Sequence, residues 1–199
     1  STVCYAIRES PAQHLVYISS DAVYADSDEP LDESFCAQPG SLHGIMHLAR
    51  EVMLKNAWQG PLCFLRPTLI YGAEDPHNGY GPNRFMRLAQ KGEEICLFGE
   101  GEERRDHVWI KDVSDLTCRV LSYQSTGVLN IATGAVVSFR EIAGQVTQLI
   151  PSSSQINSSP RTGPMPHNGY RAFDPAATHQ AFRDFTYTNL KDGLRKVYG

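Results

Sequence analysis

Val16-Tyr17-Ile18-Ser19-Ser20-Asp21-Ala22-Val23-Tyr24 is an apolar run that ends in two hydroxyls and a carboxylate. The stretch from His14 to Ser19 reads as a buried strand. A loop rich in Asp, Glu and Pro follows from Ala25 to Gly40, and a helix runs from about Ser41 to Trp58. Gly60-Pro61 ends that helix, and Leu62-Cys63-Phe64-Leu65 is a second continuous apolar run. Two such runs flanking a helix predict a strand–helix–strand crossover in a parallel sheet.

Upstream, Val3, Ala6 and Ile7 fall on a helical stripe that stops before Pro11. Beyond Tyr71-Gly72 the character changes: Ala73 to Pro82 reads as loop, and Asn83 to Lys91 as helix. Ile95 to Phe98 and His107 to Ile110 read as short strands, Asp112 to Tyr123 as helix, and Val128 to Ala132 as extended chain. Ser138 to Leu149 predicts a helix with Ser138 as N-cap and Glu141 as its capping-box partner. Pro151 to Gly169, rich in Ser, Pro and Asn, reads as loop, and a last helix is expected from about Asn189 to Val197. Pro-His-Asn-Gly-Tyr occurs twice, at Pro76 to Tyr80 and Pro166 to Tyr170. Independent turn chemistry is the simpler account, since Asn-Gly is a favoured turn pair. The alternative sets both loops at the edge of one cleft.

With 199 residues the chain fits one domain, or one and a fraction. A net charge of -4 gives no sign of a nucleic-acid partner. Basic residues do cluster at Arg104-Arg105 and around Arg84 and Arg87, which suits an anionic ligand. Cys4, Cys36, Cys63, Cys96 and Cys118 are odd in number and widely spaced, which argues against a disulfide framework or zinc ribbon and for a reducing compartment. No apolar run approaches the roughly 20 residues that span a bilayer. The first ten residues lack the order of a secretion signal, so the cytoplasm is expected.

Five segments carry a resemblance. Ser19-Ser20-Asp21-Ala22-Val23-Tyr24 is followed by Ser41-Leu42-His43-Gly44-Ile45-Met46-His47, then by Arg66-Pro67-Thr68-Leu69-Ile70-Tyr71-Gly72. Gly99-Glu100-Gly101 precedes Arg105-Asp106-His107-Val108-Trp109-Ile110-Lys111-Asp112-Val113, and Asn130-Ile131-Ala132-Thr133-Gly134 comes after. In this order they resemble the extended short-chain dehydrogenase/reductase family of NAD-dependent nucleotide-sugar epimerases and dehydratases, from His14 to about Val197. The resemblance implies an α/β fold: a partial Rossmann-type parallel sheet made of the C-terminal strands, plus a small α/β substrate-binding lobe. Residues 1–72 would be the C-terminal part of the Rossmann-type domain. Residues 73–199 would be mostly substrate lobe, with segments returning to the sheet.

The same resemblance assigns roles by position. Ser20 would hydrogen-bond the reacting oxygen of the sugar, and Asp21 sits where 4,6-dehydratases keep a general acid. The Glu that follows it there is Ala22 here, which disfavours dehydration. The family's catalytic Tyr and Lys positions are His43 and His47. Imidazole, titrating near about 6.5, can accept a proton unaided. Yet both rings are shorter than the groups they replace, and His47 lacks the permanent charge of Lys. The alternative is that the two histidines merely occupy the helix face toward an emptied site. As a pair four apart they could also chelate a metal, but no third ligand is evident.

Ser19, His43, His47 and Pro67 would face the nicotinamide end of NAD. A nucleotide diphosphate sugar would be held by Arg105, Arg161, Asn83 and Arg84, with Cys96 and Phe98 along the base. The competing role for Arg105 is a surface ion pair with Asp106 or Asp112. Leu69 stands where many members have an Asn that touches the ligand. No Gly-x-x-Gly-x-x-Gly loop is present, so weak or absent NAD binding is expected for this chain alone. The family's first strands would lie before Ser1, as in a truncated chain or gene. A homodimer through the 41–58 helix is expected, and no membrane partner. The rival function is a non-catalytic nucleotide-sugar-binding or interaction protein.

Overall fold

The computed structural model describes residues 2–9, 12–151 and 153–198. Helix α1 (Thr2–Arg8) leads into β1 (Leu15–Ile18), α2 (Leu42–Ala57) and β2 (Leu62–Pro67). β1 and β2 pair in parallel with Val16 opposite Cys63, so the crossover read from the two apolar runs is formed. β6 (Gly127–Ile131) joins the other side of β2, also in parallel, giving the order β1-β2-β6. α4 (Ile110–Ser122) covers this sheet with Val113, Leu116 and Val120, which pack with Cys63, Leu65, Leu129 and Ile131.

After Pro67 the chain changes sheets. Thr68 N–H still bonds Ile131 O, while its hydroxyl donates to Asp106 O (3.1 Å). β3 (Leu69–Tyr71) then pairs with β5 (Arg104–Trp109), which is flanked by β7 (Val136–Ser138) and the two-residue β9 (Tyr170–Arg171). β4 (Ile95–Phe98) pairs in parallel with β8 (Ile156–Ser159). Helices α3 (Pro82–Lys91), α5 (Phe139–Leu149) and α7 (Leu190–Tyr198) enclose a second core built on Phe85, Met86, Phe139 and Ile142. Ser138 and Glu141 form the capping box expected at the start of α5.

Five strands and helices were not anticipated: β3, β7, β8, β9 and α6 (Ala176–Ala181). β8 falls inside the segment read as loop, because its Asn157-Ser158-Ser159 carries no apolar alternation and is extended only by pairing with β4. β5 likewise starts earlier than expected, at Arg104, since its first residues pair with β7 and β9.

One buried ion pair fixes the first sheet against α2. Arg66 Nε and Nη2 donate to Glu51 Oε1 (3.0 Å) and Oε2 (2.6 Å), and Ser19 Oγ donates to Glu51 Oε1 (2.5 Å). Arg66 Nη1 donates to Tyr24 OH (2.8 Å), which donates to Asn130 Oδ1 (2.8 Å).

On the second sheet, Asp106 is fully buried and its carboxylate accepts from Thr133 N, Thr133 Oγ1 and Gly134 N. Burial nevertheless pushes its pKa up to about 6, while burial pushes that of neighbouring His107 down to about 4. The signs oppose. Asp106 adds stability as pH falls from about 6 toward its unfolded value, and His107 removes it as pH falls from about 6.5 toward 4. The native state holds its proton on Asp106 and the unfolded state on the imidazole, so the pair nearly cancels. In His107→Phe, stability relative to the parent should therefore climb by up to about 3 kcal/mol between pH 6.5 and 4. Urea unfolding across that range would show it; a constant difference would refute it.

Candidate active site

Two turns bring the proposed site together. Ser20 leaves β1 in extended conformation and caps the short helical turn Asp21–Val23, its Oγ accepting from Ala22 N at 3.2 Å. Ser41 caps α2 in the same manner through Gly44 N (3.1 Å). Gly44 is what lets the two meet, because a Cβ there would drive into the Ala22 carbonyl. The first turn of α2 thus lies against the Ser20 turn, with His43 at the junction.

His43 and His47 stack edge to face with ring centroids 4.6 Å apart. His47 Nδ1 hydrogen-bonds Tyr17 OH on β1 at 3.1 Å. Burial, reinforced by the nearby His43 and Arg50, holds the His47 pKa below the usual imidazole value. Its ring is neutral at pH 7, so the charge of a lysine is not reproduced.

A cleft of about 670 Å³ opens beside these groups, lined by Ser19, Ser20, Asp21, His43, His47, Pro67 and Arg105. Seven of the residues singled out in the sequence therefore converge. Ser19, however, is buried, and its hydroxyl is engaged by Glu51.

The other five lie off this cleft. Asn83 does not present its amide oxygen to a ligand: Oδ1 accepts from Gly72 N (3.0 Å) and Tyr198 OH (3.0 Å), so it pins the turn after β3. Arg84 is exposed on α3, and Cys96 and Phe98 are exposed on β4. Phe98 packs on the Tyr80 ring, with centroids 4.8 Å apart. Arg161 donates to Phe98 O (3.1 Å) and pairs with Glu103. Arg105 meets the same carboxylate at 2.9 Å and donates to Pro166 O (2.7 Å). The competing reading of Arg105, a surface ion pair with Asp106 or Asp112, is corrected: its ion pair is buried and made with Glu103. Asp106 caps the Thr133 turn, and Asp112 accepts from Thr188 N (2.7 Å), which leaves Glu103 to balance the guanidinium.

Sequence reasoning missed Arg171. It is buried and lies opposite Arg105 in the β5–β9 register. Its Nε donates to Asp21 Oδ2 (3.0 Å) and its Nη2 to Asp21 O (2.7 Å); Nη1 reaches Ala25 O and Asp26 Oδ1. His167 Nδ1 contacts the same Asp26 carboxylate at 2.5 Å. The one available signal was the repeated pentapeptide. Pro76 and His77 from its first copy and His167 from its second line the same cleft, so the two loops do share an edge. Among the described residues no group of three or more His, Cys, Asp or Glu is placed to hold a metal ion. No helix among them is long and apolar enough to cross a membrane.

The sequence model of the NAD dependent epimerase/dehydratase family matches residues 1–132, and the chain belongs to that family. Mouse dTDP-D-glucose 4,6-dehydratase is 28% identical over 154 residues, covering 75% of this chain and 43% of the relative. A putative UDP-glucose 4-epimerase from Methanocaldococcus jannaschii is 26% identical over 199 residues, covering 96% of this chain and 64% of the relative. The chain thus spans less than half the length of the dehydratase and about two thirds of the epimerase. Among solved structures, UDP-glucuronic acid 4-epimerase from Bacillus cereus, in complex with UDP-glucuronic acid and NAD, superposes with a TM-score of 0.85 at 20% identity, over 98% of this chain and 63% of that one. MoeE5 in complex with UDP-glucose and NAD gives 0.83 at 23% identity, over 98% and 67%. These likenesses establish the Rossmann-type fold.

Proposed function

We propose that this chain is the substrate side of an NAD-dependent nucleotide-sugar epimerase/dehydratase-like protein that binds a nucleotide diphosphate sugar but is impaired in proton exchange at the sugar. The observation that carries it is the Tyr17–His47 bond beside a neutral His47 ring. Oxidising a sugar hydroxyl requires a base for its proton, and the family's Tyr is made basic by a charged neighbour. His43 is the group in this cleft positioned to take that proton, and His47 gives it no cationic support. Both the side chain and the carbonyl of Asp21 are engaged by Arg171, and Ala22 stands where the dehydratases keep a Glu, which supports setting dehydration aside. The same Tyr17–His47 bond favours a second reading, a non-catalytic nucleotide-sugar-binding or interaction protein.

NAD, when bound, supplies the hydride acceptor. Pro67, His43 and His47 would face its nicotinamide end, while no glycine-rich phosphate cradle exists in the sequence, so this chain alone would hold NAD weakly. Arg105 would meet the ligand's diphosphate, and Arg161, Arg84 and the exposed edge of β4 would follow the nucleotide outward. The face of α2 leaves Leu42, Ile45, Met46, Val52 and Met53 exposed in one helical stripe, suited to a homodimer.

Three outcomes are expected. Arg105→Ala should weaken UDP-sugar binding about tenfold by calorimetry, and unchanged affinity would defeat the diphosphate role. Fusing a glycine-rich half should restore NAD binding without turnover. Turnover should then appear with His43→Tyr plus His47→Lys and vanish again with Ser20→Ala; a fused chain active with both histidines in place would make His43 the working base. Light scattering should show self-association over a tenfold concentration range, and a clean monomer throughout would exclude the homodimer.

A further inference from the structure

His43 and His47 stand one helical turn apart at the start of α2, so both rings leave the same face of the helix, and both line the cleft. The turn that carries them is fixed by the Ser41 cap and by the close approach of Gly44 to Ala22. Each ring keeps a nitrogen open. His43 is exposed, and among the described residues its ring makes no hydrogen bond. His47 engages Tyr17 OH through Nδ1 (3.1 Å); with Nδ1–H donating, the Nε2 lone pair is left on the opposite edge of the ring. Metal-bound imidazoles are ordinarily held in this way, the second nitrogen bonded to a polar neighbour that fixes tautomer and orientation. Burial also favours the neutral form of this ring, which is the form that ligates.

The separation of the rings suits one shared cation. A metal about 2.0–2.1 Å from each nitrogen lies about 3.2 Å from each ring centroid. A right angle between the two bonds then sets the centroids about 4.5 Å apart, and a tetrahedral angle about 5.2 Å. The observed 4.6 Å matches the right angle. We infer that His43 and His47 together chelate a divalent transition metal of tetragonal or octahedral preference, copper(II) or nickel(II), on the cleft wall beside Ser20. No third side chain among the described residues completes the site, so the other coordination positions are open to water or to an oxygen of a ligand in the cleft. Magnesium is not expected there, because it prefers oxygen ligands. The cation would bring to this wall the positive charge that a neutral His47 does not supply. The assignment stands apart from the nucleotide-sugar reading, since it rests on the geometry of the pair.

The test is calorimetric titration of the untagged chain with copper(II), nickel(II), zinc(II) and magnesium chlorides, joined by pulsed electron paramagnetic resonance of the copper form. One copper or nickel ion per chain should bind, with zinc weaker than copper and magnesium without effect. His43→Ala and His47→Ala should each weaken copper and nickel binding about tenfold or more, because the chelate partner is lost. His77→Ala and His167→Ala should leave it unchanged. The resonance should count two coordinated imidazoles in the parent chain and one in either α2 variant. His43 is exposed, so His43→Ala keeps the test decisive even where circular dichroism shows that His47→Ala has not folded. The inference is overturned if neither copper nor nickel binds, if His43→Ala leaves the affinity unchanged, or if the parent chain coordinates copper through a single imidazole. Zinc binding as tight as copper would overturn the right-angle geometry.

Discussion

The ion pair between Glu51 and Arg66 is the constraint on which the first sheet and the cleft both depend. It links α2 to β2 through two hydrogen bonds, and it has no water to fall back on. Removing one partner of such a pair leaves a buried charge uncompensated, at a cost of about 3–5 kcal/mol. Its geometry is completed by neutral groups: Ser19 at the end of β1, and Tyr24 and Asn130 on the far side. The residue before Ser20 is thus held by α2, the helix that also carries His43 and His47. The strand end and the helix face cannot drift apart without breaking this network.

Charge in the cleft is arranged in compensated groups. Arg171 is set against Asp21 and Asp26, Arg105 against Glu103, and Arg161 shares that same glutamate. An anionic ligand would compete with carboxylates already in place rather than meet bare cations. The imidazoles of His43, His47, His77 and His167 all lie on the cleft wall.

What the sequence disclosed followed from how local each signal is. β1, β2 and α2 were legible because apolar runs and a capping serine announce themselves within a few residues, as did the Ser138–Glu141 box. β7, β8 and β9 were not, because their extension comes from partners far along the chain. The site divides the same way. Ser20, His43 and His47 stand in a readable motif, and the structure sets them around one cleft. Asn83 has the right residue type for phosphate at the right loop, yet its amide serves Gly72 and Tyr198, which no local pattern indicates. Arg171 lies in an unremarkable Tyr-Arg-Ala-Phe context and becomes visible only once β9 is paired with β5.

The Arg171–Asp21 contact joins residues 150 positions apart. Closing so long a loop is entropically slow, and it requires β5 and the substrate-side core to be in place before β9 can dock. During synthesis, the turn bearing Ser20 would wait for 150 further residues before its clamp arrived. Proteolysis or fraying near residue 171 would release that turn while leaving the parallel sheet intact. Competence of the cleft is thereby tied to the docking of β9 against β5.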